Sequence, residues 1–204
     1  MHTLPVLHKF FRNSFPAVHA TRLEALTVAV EAVTQGSRVS ITTMGRELHS
    51  SVRIKHRIKR MNRLVGNRLL TAERERFYRA MVHRLLAGSA RPIILIDWSD
   101  FSVDRAQQLL RASLPVGGRA LTLYEELHPY ELLANRAVQH SFLDRLGALL
   151  PSECTPVIIA DAGFRVPFFR YVERLGWHWL GRIRNRDLIC WEGAPYEWVG
   201  AKSL

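Results

Sequence analysis

Cysteine is scarce: Cys154 and Cys190 are the only two in 204 residues. Neither sits in a CxxC pair, which excludes a disulfide framework and a thiolate zinc site and leaves two buried, reduced thiols as the reading. The nine histidines are scattered, with no HxxxH or HExxH spacing to hold a metal. GxSxG, GxxxxGK[ST] and GxGxxG are absent, so the local signatures of serine hydrolases, P-loop enzymes and dinucleotide-binding proteins are missing. No apolar run is long enough to span a bilayer. The first residues, MHTLPVLHKFFRN, lack the small-residue cleavage site of a secretory signal. These absences lead us to expect an intracellular, cytoplasmic protein. A hydrophobic content of 48% against 23% charged residues is enough for a real core, in one domain or one domain plus a small helical one.

Acids are also scarce, but only in the first part. Residues 1–90 hold 16 Lys/Arg against 5 Asp/Glu, whereas residues 91–204 hold 13 of each. The whole formal charge of +11 therefore sits in the front segment. A basic module for a polyanion followed by a neutral module is the organisation this implies, with the boundary at the AGSARP stretch, 87–92.

The front segment reads as helices. ATRLEALTVAVEAVT, 20–34, stops before Gly36; TTMGREL, 42–48, starts from a threonine cap; another helix is expected over 71–86, with Glu73 and Glu75 near its positive end. Between the last two lies VRIKHRIKRMNRLVGN, 52–67. Ile54, Ile58, Met61 and Val65 recur at helical spacing and predict one apolar stripe. Around it stand Arg53, Lys55, Arg57, Lys59, Arg60 and Arg63, with no acid among them. A solvated amphipathic helix is the plain reading, but such helices normally carry i,i+4 acid partners. A short helix, a turn at HSS and a basic second helix also suggest a loose helix-turn-helix, so these six residues are candidate contacts to duplex DNA.

After residue 92 the period changes from 3.6 to 2. PIILID reads as a buried strand, and QQLLRASLPV and RALTLYEEL as two strands joined at Val116–Gly117–Gly118. A helix over 134–151, the strand TPVIIAD, a helix over 166–176 and the strand WHWLGRIR follow. A three-strand meander followed by crossovers predicts an α/β fold: a mixed sheet with flanking helices, preceded by an all-α region.

Two of those strands, PIILID and TPVIIAD, end on a carboxylate: Asp97 and Asp161. Ligands of such sheets sit at the carboxyl ends of parallel strands. Two carboxylates side by side repel unless a cation lies between them. Oxygen donors suit Mg²⁺ or Mn²⁺, which can activate an attacking oxygen at phosphorus. A strand-end Asp also caps turns, and DAGF fits that simpler role. Asp100 and Asp104 read as caps of the loop after the first strand. Trp98, next to Asp97, is a candidate to line the site, whereas Trp177, Trp179 and Trp191 read as core.

The segments ILIDWSD, LRASLPVGGRALTLYEE, TPVIIADAGFRVPFFRYVERLGWHWLGRIR and RIKHRIKRMNRLVGN together resemble bacterial DDE transposases of insertion-sequence family four, transposon-ten type. The resemblance runs along nearly the whole chain. It implies a helical DNA-binding region at 1–90 and a ribonuclease-H-like core at 91–204. It also implies two Mg²⁺ (or Mn²⁺) ions held by three acids, and cut-and-paste transposition at inverted-repeat DNA ends, with self-association on DNA in the nucleoid. Asp97 and Asp161 match the first two acids, catalytic and metal-holding. The family's third acid lies in a Tyr-x2-Arg-x3-Glu-x6-Lys pattern. The nearest match starts at Tyr171 and Arg174 but meets His178 and Asn185 at the Glu and Lys positions. Asp187, Glu192 and Glu197 have no such pattern around them. We therefore expect a truncated transposase core, inactive alone, with apolar surface left exposed on one face. The alternatives are a DNA-binding remnant that occupies transposon ends without catalysis, or a nuclease using Glu192 or Glu197 as a substitute.

Overall fold

The computed structural model describes residues 3–36, 38–184, 187–191 and 193–203. The chain divides into two compact units, Met1–Ala80 and Met81–Leu204. Asn185 and Glu192 lie outside the described residues.

The first unit is helical: α1 (Thr3–Ser14), α2 (Ala20–Gln35), α3 (Ile41–Glu47), α4 (Ile54–Val65), α5 (Arg68–Ala72) and the start of α6 (Arg74–Leu85). Sequence periodicity gave no sign of α1. It joins α2 through Phe15, Val18 and Leu23, onto which Phe11, Phe77 and Ala80 pack. Ala29 and Ala32 of α2 form a second cluster with Met44, Leu48 and Met61. The buried Thr27 hydroxyl donates back to the Leu23 carbonyl at 2.8 Å and so stays satisfied in this apolar setting. Ser40, not a threonine, caps α3: its hydroxyl accepts from the Thr43 amide at 3.1 Å. The single helix expected over 71–86 is broken at Glu73. That residue leaves the helical run and pairs with Arg22, Nη2 to Oε1 at 2.6 Å and Nε to Oε2 at 3.0 Å. A bidentate pair this well shielded outweighs the continuity of one helical turn.

α3 and α4 touch where Gly45 meets Ile58. A methyl group on Gly45 would lie 2.6 Å from the Ile58 Cα and 2.8 Å from its backbone nitrogen. Backbone cannot yield as a side chain does, so Gly45→Ala is expected to push the two helices apart. The cost should be about 1–3 kcal/mol, read as a lower denaturant midpoint. Gly66→Ala is the matched control. There a methyl would meet only the Asn62 carbonyl, at 3.5 Å, and stability should hold within about 0.5 kcal/mol.

The second unit is mixed α/β. Its five strands are β1 (Ile93–Asp100), β2 (Gln107–Val116), β3 (Arg119–Pro129), β4 (Val157–Ala160) and β5 (His178–Gly181). They lie in the order β3-β2-β1-β4-β5. β1, β2 and β3 are antiparallel; β1 runs parallel to β4, and β4 to β5. Gly117 and Gly118, at φ 55° and 77°, make the tight hairpin between β2 and β3. The crossovers are α7 (Arg136–Leu149) and α8 (Val166–Arg174). Asn135 caps α7 by accepting from the Ala137 and Val138 amides. Both helices cover one sheet face. Phe142 packs on Tyr124, with ring centroids 5.2 Å apart, and Phe169 on Trp179, at 4.5 Å. Ile94, Ile96 and Ile158 are fully buried beneath them. On the opposite face Ile93 is 46% and Leu180 61% exposed. A separate hairpin, β6 (Leu188–Trp191) and β7 (Ala194–Gly200), follows, and sequence periodicity had not signalled it.

Trp177 is buried, but Trp179 is 42% exposed and donates its indole N–H to Glu173 at 2.9 Å. The Trp191 side chain lies outside the described residues. Cys154 is buried and Cys190 half-buried, both free. Among the described residues no helix is long and apolar enough to cross a membrane.

Candidate metal centre and basic helix

β1 does not end at Asp97, as its sequence suggested. It continues to Asp100 because β2 keeps pairing with it, Asp97 opposite Arg111 and Asp100 opposite Gln108. What ends at Asp97 is the parallel pairing: the last pair is Ile96 with Ala160. The next residue on each strand is an acid, Asp97 on one and Asp161 on the other. In parallel register such residues point to the same face. The two carboxylates therefore flank the crevice where β1 and β4 part, on the face opposite α7 and α8.

Crowding by neighbouring atoms, then the negative charge of Asp161, push the Asp97 carboxyl above its ordinary value; the Trp98 amide and the Arg111 guanidinium pull it back by less. Asp97 still reaches solvent, so the shift is a local tension rather than full burial. The folded form binds the proton more tightly than the unfolded chain. This contribution to stability is complete below the ordinary value of 3.8 and is lost as pH rises through the elevated one. A cation between the carboxylates would reverse that tension.

Asp161 serves the turn as well as the crevice. Its Oδ1 accepts the Gly163 amide at 2.8 Å. A methyl group on Gly163 would come within 2.9 Å of that oxygen, so glycine is what allows the close approach. Oδ2 has no hydrogen-bond partner among the described residues. The DAGF turn and an open carboxylate oxygen coexist.

The remaining acids divide clearly. Asp100 is held by Gln108, at 2.8 Å, and by Arg105, at 3.1 Å. Asp104 accepts the Ala106 amide at 3.1 Å and is lowered by the Ser102 hydroxyl and that amide. Both brace the loop. Asp187 accepts the Arg184 amide at 2.7 Å and is likewise a turn residue. Glu197 is exposed on β7. Among the described residues no three His, Cys, Asp or Glu side chains gather as a metal cage. Trp98 does not line the crevice. Strand alternation turns it to the other face, where its ring meets His128 edge-on at 5.7 Å.

A cleft of about 730 Å³ opens past the Asp161 turn on the side of α8, and neither Asp97 nor Asp161 lines it. Gly163, Phe169 and Trp179 contribute to its walls, together with three arginines, Arg165, Arg182 and Arg184. Sequence reasoning missed these arginines because they are spread over a turn and a strand end rather than a run. It also missed Arg111, whose place beside Asp97 depends on register.

In the first unit, α4 presents its bases unevenly. Arg53, Lys55, Lys59, Arg60 and Arg63 are exposed. Lys55, Lys59 and Arg63 succeed one another at i,i+4 on one face. Arg57 turns inward instead. Its Nη1 donates to the Leu48 carbonyl and, at 3.3 Å, to that of Arg46, so it caps the end of α3. The apolar stripe is also narrower than the periodicity predicts: Met61 is fully buried and Leu64 packs beside it, while Ile54 and Val65 stay 50% and 61% exposed. Arg57 lies between Met61 and Leu64 on the inner face and takes the place expected of an apolar side chain.

Comparison with protein-family models, with curated proteins and with solved structures returned no match to this chain.

Proposed function

We propose that this chain is a DNA transposase of the DDE type, with a basic helical unit that holds inverted-repeat DNA ends in the bacterial nucleoid and a ribonuclease-H-like unit built for phosphodiester chemistry. The observation that carries the reading is the adjacency of Asp97 and Asp161 where two parallel strands separate. The strand order β3-β2-β1-β4-β5 and the sequence resemblance support it.

The donor set fits one hard divalent ion. Mg²⁺ takes one or two carboxylates and leaves its other positions to water and phosphate oxygens. Asp97 and Asp161 would hold it, and it would supply activation of an attacking oxygen and stabilisation of a leaving one at phosphorus. Arg111 limits the local negative charge, and Arg165, Arg182 and Arg184, in the cleft past the Asp161 turn, would meet backbone phosphates away from the reacting one. A second ion needs a further carboxylate, and the described residues gather none. That same observation favours the second reading, a DNA-binding protein that occupies transposon ends without cutting them.

Calorimetric titration with Mn²⁺ separates the possibilities. Saturable binding is expected in the wild type and a loss of at least tenfold in Asp97→Asn and in Asp161→Asn. Divalent ion should also bring the Asp97 carboxyl down, so the stability lost on raising pH from acid conditions should be recovered when Mn²⁺ is present. Equal Mn²⁺ affinity in all three proteins would remove the site. Incubation with end DNA in Mg²⁺ decides between the two readings: strand cleavage that disappears in Asp161→Asn marks the transposase, and binding without cleavage marks the occupant.

A further inference from the structure

Away from the crevice, on the outer side of α7 and α8, lies a cluster that the proposed function does not use. Arg136 and His140 stand one turn apart on α7, and Arg170 and Arg174 one turn apart on α8. With Pro167 and Tyr171 they line a hollow of about 220 Å³. The His140 ring is stacked on Tyr171, with centroids 3.9 Å apart and planes within 16°. The Arg174 guanidinium sits 4.6 Å from the same ring centroid, and the Tyr171 hydroxyl donates to Asp144 at 2.7 Å.

Two features of this cluster point to a missing partner. The His140 Nε2 is buried and has no hydrogen-bond partner. An orphaned buried polar atom is uncommon and marks a missing partner. Three exposed arginines also line the same hollow, with no ion-paired acid among the described residues; Asp144, the acid that touches the cluster, accepts from Tyr171. An anion seated in that hollow would be within reach of all three positive charges. Guanidinium forks match the oxygens of phosphate in paired hydrogen bonds.

We propose that this hollow binds a tetrahedral oxyanion, a phosphate group, held by Arg136, Arg170 and Arg174 and by the His140 Nε2–H. Its volume argues for a single such group, since pockets for drug-sized ligands run from about 300 to 1,000 Å³. The phosphate can be a free ion or one group of a nucleic-acid backbone lying across the helices. The chemistry is shared, and the site does not depend on the metal centre.

The test uses the whole chain. The His140 ring proton resonances, assigned with His140→Gln, are followed by NMR while inorganic phosphate is added at constant ionic strength. A second series adds a short DNA duplex instead. Saturation by phosphate identifies a free-ion site. A shift with the duplex alone identifies a backbone phosphate. In either case Arg170→Gln/Arg174→Gln should weaken the effect at least tenfold. Arg170→Lys/Arg174→Lys should restore only part of it, because charge remains and the fork is lost. The His140–Tyr171 stack gives both ring systems distinctive shifts, so a variant that has lost its fold is recognised directly. No saturable change with either probe, or the same change in the Gln pair as in the wild type, overturns the proposal.

Discussion

Replacing Lys55, Lys59, Arg60 and Arg63 together by alanine is expected to reduce affinity for duplex DNA on the order of a hundredfold at low salt. The argument is electrostatic. Each phosphate neutralised by a lysine or arginine releases condensed counterions, and the logarithm of affinity falls with that of salt at about −0.9 per contact. Four lost contacts flatten that slope by about 3.6. The loss of affinity between 50 and 200 mM salt should thus be about a hundredfold smaller in the variant than in the wild type. All four side chains are exposed, and alanine favours helix, so α4 should stay folded. Arg57→Ala must be kept out of this set. It would free the carbonyls of Arg46 and Leu48 at the end of α3 and weaken the fold instead. Arg119→Gln, on the exposed hairpin of the other unit, is the control for general charge. Gel-shift titrations over a range of salt concentrations measure both quantities. A variant that keeps the wild-type slope would take α4 out of DNA recognition.

The sequence made the alternation of the second unit readable because its signals are local. The Gly117–Gly118 turn needs positive φ, Asn135 caps a helix, Gly176 at φ 75° ends one, and the run Val157–Ile159 is a buried strand by composition. The two acids were visible for the same reason: each follows a run of branched apolar residues. What the sequence hid depends on non-local pairing. β1 extends past Asp97 only because β2 stays beside it, and nothing within ILIDWSD encodes that. Trp98 looked like a site residue by adjacency, yet one step along a strand is the other side of the sheet. Arg57 is a similar case. A charged residue at helical spacing reads as solvent-facing until α3 packs close enough for its carbonyls to recruit it. Gly45, inside α3, is what permits that approach.

Breaking the Glu126 hub should give the largest stability loss in the second unit. Glu126 is buried on β3 and holds three partners: its Oε1 accepts from the Tyr124 hydroxyl at 2.6 Å and from Arg145 Nη1 at 2.8 Å, and its Oε2 meets His128 Nε2 at 2.9 Å. Glu126→Ala leaves the Tyr124 hydroxyl buried without its acceptor and His128, itself mostly covered, without its carboxylate. Removing one member of a buried charged network costs about 3–5 kcal/mol. Arg145 stays half open to water, which places the expected loss at the lower end of that range. Glu126→Gln keeps an oxygen for Tyr124 and should cost about half as much. The alkaline side offers an independent check. Burial, then the hydrogen bond to Glu126 and its charge, push the Tyr124 hydroxyl up to about 12. The folded state therefore holds that proton longer than the unfolded chain, and the stability this provides is lost as pH rises from the ordinary 10 through the raised value. In Glu126→Ala the burial remains but the carboxylate is gone, so the tyrosinate should appear at lower pH in an ultraviolet titration. Urea unfolding at neutral pH measures the first effect. A normal midpoint together with an unmoved tyrosinate titration would mean that Phe142 and Ile96 hold this part of the sheet without the carboxylate.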